Sequence, residues 1–81
     1  MVTVLEGSAA AATGGYLLRL RDTAGAVRSA VVTASARTGP AGHRVYIDDD
    51  GRWEVEITRS GEHRVLRSTP GLRITSLACL P

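Results

Sequence analysis

Apolar and polar residues alternate along most of this chain, and Gly or Pro interrupts the alternation roughly every eight to twelve residues. A period of two places every second side chain on one face of a β-strand, whereas a helix needs apolar residues three and four positions apart. Short alternating runs separated by turn residues are typical of an all-β protein. The pattern predicts seven strands, at residues 2–6, 16–22, 27–36, 43–48, 52–59, 62–68 and 72–80.

The length of 81 residues is enough for one domain, so residues 1–81 are expected to form a single small β domain. We expect a small antiparallel β barrel or sandwich of six to seven short strands. Its core must be thin, because the 43% of hydrophobic residues are largely Ala, Val and Leu, with one Trp, two Tyr and no Phe. A domain of this size buries only about 60% of the surface of its unfolded chain, so association with another chain would add useful stability.

The run VYIDDDGRWEV, residues 45–55, predicts a hairpin. A three-residue loop, Asp49-Asp50-Gly51, would place Gly51 in the left-handed position of a bulge. Val45 would then face Val55, while Tyr46 and Arg44 would lie on the outer face opposite Glu54 and Glu56. The predicted inner face consists of Val45, Ile47, Trp53, Val55 and Ile57. The three consecutive Asp are interpreted as turn residues, because calcium-binding loops place acidic ligands at alternate positions with a distant Glu.

Three further turns are predicted from Gly and Pro. In RTGPAGH, residues 37–43, Gly39 and Gly42 bracket Pro40, which fits a type I turn. A phosphate-binding loop would end in Lys-Ser/Thr or lead into a helix, and this segment does neither. Thr69-Pro70-Gly71 indicates a type II turn, and Ser60-Gly61 a turn whose register stays open.

The residues that usually carry catalysis or bind metals have no local support in this sequence. His43, His63, Cys79 and several Ser are present, but no nucleophile elbow and no His-Glu-x-x-His pattern occurs. One Cys cannot build a zinc site from thiols. We therefore expect no enzyme activity, no catalytic residue, no metal and no cofactor. An enzyme that uses His43 and His63 is the third hypothesis, and it requires the sheet to bring the two residues together.

The charge balance argues against a dedicated nucleic-acid binder. All ten basic residues are Arg, the net charge is +2, and residues 41–81 carry six Arg against six acidic residues. Binding to phosphates needs a positive patch that is not neutralised. An Arg-rich module that binds single-stranded nucleic acid is the alternative function. It would use a basic stripe with aromatic stacking platforms, at Arg19, Arg21, Arg64 and Arg67 with Tyr16 and Tyr46.

Targeting signals are not evident in the sequence. The first 15 residues have no basic region followed by an apolar core, and no segment approaches the ~20 apolar residues of a membrane span. Cys79 is the only Cys, so no intramolecular disulfide can form. We expect a cytoplasmic protein without membrane contact.

Residues 37–66, RTGPAGHRVYIDDDGRWEVEITRSGEHRVL, also resemble a known family. It is an uncharacterised family of small actinobacterial proteins, with an Arg-Thr-Gly-Pro-x-Gly-His-x-Val-Tyr segment, an Asp/Gly turn and a Gly-Glu-x-Arg-x-Leu run. The resemblance covers about half of the chain and implies no activity. It implies that six residues belong to a shared pattern: Arg37, Gly39, Gly42, His43, Tyr46 and Glu56.

The function expected from these observations is that of a non-enzymatic interaction or accessory module. Residues 27–36 and 72–80 contain little charge, no Lys and no Pro, so an unpaired edge there would accept another strand. A homo-oligomer or a complex with a protein partner is therefore expected, and a closed monomeric barrel is the competing explanation. The candidate binding residues are Arg37, His43, Arg44, Tyr46 and Trp53.

Overall fold

A computed structural model describes residues 14–80, which form one six-stranded antiparallel sheet. The predicted all-β fold is confirmed. The strands are β1 (Gly15–Asp22), β2 (Val27–Thr38), β3 (Arg44–Asp48), β4 (Glu54–Ile57), β5 (His63–Arg67) and β6 (Leu72–Cys79). Each corresponds to a predicted strand, and the predicted strand at residues 2–6 lies outside the described residues. The described part of the chain contains no helix long and apolar enough to cross a membrane.

The sheet has the order β5-β4-β3-β2-β1-β6 and curls into a half-barrel. Five strands follow one another as a meander, and β6 returns across the open side to pair with β1. β2 lies in the middle of the sheet, so only one of the two weakly charged segments, the one that forms β6, is at an edge. Among the described residues, β5 and β6 each have a neighbouring strand on one side only.

The hydrophobic core fills the concave face of the half-barrel. Pairing between neighbouring strands places Leu18 beside Ala30 and Leu77, which brings apolar side chains of three strands together. Trp53 is 3% exposed, which confirms its prediction as a core residue. The buried cluster consists of Leu18, Leu20, Val32, Tyr46, Trp53, Val55 and Ile57.

The register predicted for the β3–β4 hairpin is wrong by one residue. Val45 faces Glu56 and Tyr46 faces Val55, because the loop contains four residues, 49–52, instead of three. The Asp48 carboxylate accepts the Trp53 N–H at 3.0 Å, and the Asp48 carbonyl accepts the Gly51 N–H at 3.1 Å. These bonds hold one more residue in the turn, while Gly51 has the predicted left-handed conformation, with φ of +72°.

The changed register reverses the faces of β3. A shift of one residue moves every side chain of a strand to the other face. Tyr46, predicted on the outside, is therefore in the concave core, while Val45 and Ile47 point to the convex face with Glu56. The inward positions predicted for β4, at Trp53, Val55 and Ile57, are confirmed.

The remaining turns follow the positions of Gly. The Gly42 N–H donates to the Gly39 carbonyl at 3.0 Å, and the Leu72 N–H donates to the Thr69 carbonyl at 3.3 Å. Gly71 has φ of +82°, as a type II turn requires. The backbone N–H of Thr58 donates to the Glu62 carbonyl at 2.9 Å, so the β4–β5 loop contains three residues, 59–61. This bond determines the register that the sequence left open.

Candidate functional site

The five candidate binding residues do not converge on one site. Tyr46 and Trp53 are core residues of the concave face. Arg37 forms an ion pair with Glu54 at 3.0 Å, and Arg44 donates from Nη1 to the Ser35 carbonyl at 3.2 Å. The backbone N–H of His43 donates to Glu56. Each of the five therefore has a structural partner or a place in the core.

The segment RTGPAGH instead folds around an acidic residue of the same chain. Glu56 is only 2% exposed, and its Oε2 accepts the backbone N–H groups of Ala41 at 3.0 Å and His43 at 2.9 Å. A Cβ on Gly39 would collide with the Glu56 carboxylate, so residue 39 must be glycine for this packing. The donors that could bind an external anion are thus used by Glu56.

Sequence reasoning missed the role of Glu56 because of the register error. The predicted pairing set Glu56 opposite Arg44 on an outer face, where a carboxylate needs no special partner. In the structure Glu56 lies beside Val45, which is fully buried, so its charge requires internal donors. The signal that could have revealed this was the Gly-Pro-x-Gly turn, because such turns can direct backbone N–H groups to one side of a loop, as those of Ala41 and His43 are directed here.

His43 and His63 line the same shallow cavity, of about 260 Å³. Glu56, Glu62 and Arg64 contribute to its walls. The Glu56 carboxylate is held by backbone N–H groups, and no group of three or more potential metal ligands occurs within residues 14–80. The two histidines therefore share a surface, but no third side chain completes a metal site with them.

A cavity of about 690 Å³ lies at the end of the half-barrel where three turns meet. Trp53 contributes to it, and the Asp run lies along one side. Asp48 is engaged by the Trp53 N–H, so Asp49 and Asp50 are the exposed acids of this run. Arg28 and Arg52 also line the cavity and balance these charges. The cavity is wide and mixed in polarity, without a buried polar group directed into it.

Tyr16 and Tyr46, the predicted stacking platforms, pack against each other on the concave face. Their rings form a T-shaped pair with centroids 5.0 Å apart. Burial raises the pKa of Tyr16, and the neighbouring Tyr46 and Cys79 raise it further. Burial also raises the pKa of Tyr46, while Arg44 acts in the opposite direction. Since Arg19 and Arg21 lie on the other face, these rings cannot act together with them on one ligand.

The outer edge of β6 has no partner strand within residues 14–80, and Arg73 is the one charged residue of this strand. The backbone N–H of Leu80 donates to the Gly15 carbonyl at 3.0 Å, so the backbone groups of this residue pair point toward each other, between β6 and β1. Inward and outward pairs alternate along an antiparallel ladder, which directs the backbone groups of Leu77 and Cys79 outward. Residues 74–79, ITSLAC, carry no charge.

The outer edge of β5 is different in character. The bond between Thr58 and Glu62 places the next hydrogen-bonded pair at Glu56 and Arg64, so the backbone groups of His63 and Val65 point outward. Two of the five residues of β5 are Arg and one is His. Charged side chains on an edge strand discourage pairing with other chains, so β5 is protected along its length, whereas β6 is protected only near Arg73.

Comparison with known proteins identifies a family and no characterised relative. No curated protein and no solved structure shows significant similarity to the chain. A family model described as a family of unknown function (DUF6296) matches residues 10–80. This match covers most of the 81 residues, and the chain therefore belongs to DUF6296, a family of unknown function.

Proposed function

We propose that this protein is a non-enzymatic interaction module of the cytoplasm that acts by self-association, with two copies pairing along the edges of their β6 strands. The observation that carries the proposal is the outer edge of β6, which is unpaired within residues 14–80 and uncharged from Ile74 to Cys79. An edge of this kind binds another strand readily.

A second copy is the occupant that fits this edge best. Two identical antiparallel strands related by a two-fold axis satisfy each other's backbone groups with the same segment from both chains. The outward groups of Leu77 and Cys79 would bond their counterparts and join two sheets into one of twelve strands. The partly buried side chains of Ile74 and Leu77 lie on the concave side of the same strand, where the joined sheets would cover them further.

Two double variants separate edge pairing from the loss of side chains. Leu77→Pro/Cys79→Pro removes two outward N–H groups while leaving the N–H groups that bond β1 in place. Leu77→Ala/Cys79→Ser removes the same side chains but keeps both N–H groups. The serine also removes the exposed thiol of Cys79, so a disulfide between chains cannot imitate strand pairing.

The test is light scattering coupled to size exclusion at micromolar concentration, under reducing conditions. We expect a dimer mass for the wild type and for the Ala/Ser variant, and a monomer mass for the Pro/Pro variant. A wild-type monomer across the whole concentration range contradicts the proposal. A Pro/Pro variant that remains dimeric moves the interface away from β6.

A further inference from the structure

Three arginines form a compact positive patch on the convex face at the β1–β6 side of the sheet. Arg19 and Arg21 are two residues apart on β1, so their side chains leave the sheet on the same face. Arg73 of β6 is the direct cross-strand partner of Arg21. All three residues are exposed. We call Arg19, Arg21 and Arg73 the arginine patch.

Within residues 14–80, no acidic side chain forms an ion pair with this patch. The ion pairs within residues 14–80 involve other arginines: Arg28, Arg37 and Arg67. Asp22 lies close to Arg21 in sequence, but its carboxylate accepts the N–H groups of Ala24 and Ala26 in the turn and faces Arg28. The near balance of Arg and acidic residues along the sequence therefore does not extend to this face of the sheet.

Arg73 lies directly opposite Arg21, whose Nη1 donates to the Gly25 carbonyl at 3.1 Å and leaves the other guanidinium N–H groups without a protein acceptor within residues 14–80. Like charges at directly opposed positions of an antiparallel pair repel each other. The cross-strand neighbours of Arg19 are Ser29 and Ser76, which carry hydroxyl groups and no charge. Three guanidinium groups among hydroxyl donors are a surface for an anion with several negative oxygens.

We propose that the arginine patch binds the phosphodiester backbone of a nucleic acid, without reading its sequence. Guanidinium groups bind phosphate oxygens in a two-pronged fashion, and serine hydroxyls are common additional donors to the backbone. A shallow cavity of about 180 Å³ is lined by Arg21 and Arg73, and also by Asp22, whose Oδ1 already accepts two backbone N–H groups of the turn. It provides a recess into which a phosphate group can enter between the two arginine side chains.

The surroundings of the patch favour contacts to phosphates over contacts to bases. The aromatic residues of the chain, Tyr16, Tyr46 and Trp53, belong to or pack against the core on the concave face. Stacking of bases is thus absent from the convex face, and sequence-independent binding through phosphates is what remains. Three arginines also fall short of the four to eight basic residues typical of segments that bind anionic membranes.

The patch is complete within one chain, so the inference stands with or without self-association. If β6 strands do pair, their two-fold axis runs perpendicular to the sheet, and both patches lie on the same convex face. A dimer would then present two patches side by side across the interface, because Arg73 belongs to the strand that forms it.

Fluorescence anisotropy with labelled oligonucleotides tests the inference. The probes are a single strand of mixed sequence and a duplex of the same length, titrated at low salt and at increasing salt. The patch variant is Arg19→Gln/Arg21→Gln/Arg73→Gln. The control variant, Arg52→Gln/Arg59→Gln/Arg64→Gln, removes the same charge from exposed arginines that make no ion pair within the described residues. Arg64 belongs to the basic stripe predicted from the sequence, but it lies on β5, at the opposite edge of the sheet from the arginine patch.

We expect wild type to bind both probes in the micromolar range at low salt. The slope of log K against log salt should be about −2 for the single strand and about −3 for the duplex, for three phosphate contacts. Contact of one molecule with both patches of a dimer would double these slopes. The patch variant should lose at least tenfold in affinity and the control variant less than about twofold.

Vesicles of phosphatidylcholine and phosphatidylserine are a third probe. Three results would overturn the inference: no binding of oligonucleotides at low salt, equal losses of affinity in the two variants, or binding to the vesicles only. Circular dichroism of each variant confirms that its sheet is intact. The Leu77→Pro/Cys79→Pro variant should still bind the single strand, so a failure of self-association and a failure of phosphate binding give different patterns.

Discussion

The Glu56 carboxylate links strand β4 to the loop that precedes β3. Its side chain is almost fully buried beside Val45, where an unpaired charge would be costly. The loop before β3 removes that cost by directing the N–H groups of Ala41 and His43 at the carboxylate. The same contacts define the shape of the loop, so the stability of β4 and the conformation of the 39–43 turn depend on each other.

Replacement of Glu56 by glutamine tests this dependence. Glu56→Gln keeps the size of the side chain but replaces one acceptor oxygen with an NH₂ group that faces N–H donors. Charge-assisted hydrogen bonds contribute about 1.5–3 kcal/mol each, so we expect a loss of at least that order in the free energy of unfolding. Urea unfolding followed by Trp53 fluorescence measures it. An unchanged midpoint would mean that the loop does not depend on the carboxylate.

Gly39→Ala provides an independent measure of the same contact. The added Cβ would meet the Glu56 carboxylate, so we expect a loss of about 1–3 kcal/mol, as for other overpacked sites. In a Glu56→Ala background the carboxylate that the new Cβ would meet is absent. Gly39→Ala should then lower the free energy of unfolding much less. This coupling is read from a double-mutant cycle of urea midpoints. Equal costs in the two backgrounds would show that Gly39 is needed for another reason.

The tyrosine pair makes the fold sensitive to alkaline conditions. The pKa of Tyr16 in the folded state is raised above 10.0, chiefly by burial, while unfolding restores the ordinary value. The folded protein therefore holds its proton where the unfolded chain loses it, and this contribution to stability is complete below pH 10 and declines above it. Tyr16→Phe should flatten the decline. Urea unfolding midpoints of the wild type and of Tyr16→Phe, measured from neutral pH to above pH 10, test this expectation, and equal declines in the two proteins would contradict it.

At the scale of strands, the sequence predicted the elements better than their pairing. All six strands of the described region follow from alternation and from the positions of Gly and Pro, because both signals are local. The predicted hairpin register was wrong because the sequence pattern does not show the hydrogen bond from the Trp53 N–H to the Asp48 carboxylate. This bond accompanies a loop of four residues instead of three. Strand order could not be predicted either, because β6 pairs with β1 across more than fifty residues.

The candidate site shows the same division between local and distant information. The turn at Gly39 and Gly42 was predictable, but its occupant comes from β4, and only the correct register brings Glu56 there. The arginine patch could be recognised only from the β1–β6 pairing, which places Arg73 beside Arg21. No residue near Arg73 in the sequence indicates that it belongs to this patch. Sequence reasoning identified Arg19 and Arg21 and could not supply the third arginine.

The repulsion between β1 and β6 gives a prediction at this scale. Arg73→Gln removes one of two like charges at opposed positions, and we expect a gain of about 0.2–1 kcal/mol in the free energy of unfolding. Arg59→Gln, in the β4–β5 turn, should change stability little and serves as the control. Thermal unfolding at low salt measures both, and the gain should shrink as salt rises. A loss of stability in Arg73→Gln would show that Arg73 has a structural partner.

The whole molecule is a curved sheet with one core face, and this shape sets its stability. The fully apolar interior comes from a few residues of β1 to β4, while the two edge strands contribute only partly buried side chains. Val65 of β5 remains 42% exposed on the concave side. A half-barrel of this size gains stability from any partner that covers an edge, because each covered side chain adds apolar burial to a small total.

Coupling between association and folding therefore predicts a melting temperature that depends on protein concentration. For a dimer that unfolds to two chains, a tenfold increase in concentration adds about 0.7 kcal/mol per chain, or about 3–5 °C for a domain of this length. The wild type and Leu77→Ala/Cys79→Ser should both show this rise. Leu77→Pro/Cys79→Pro should melt at one temperature over the same range, because it cannot pair through β6. A wild-type melting temperature that stays constant from low to high micromolar concentration would mean that the half-barrel is stable as a single chain.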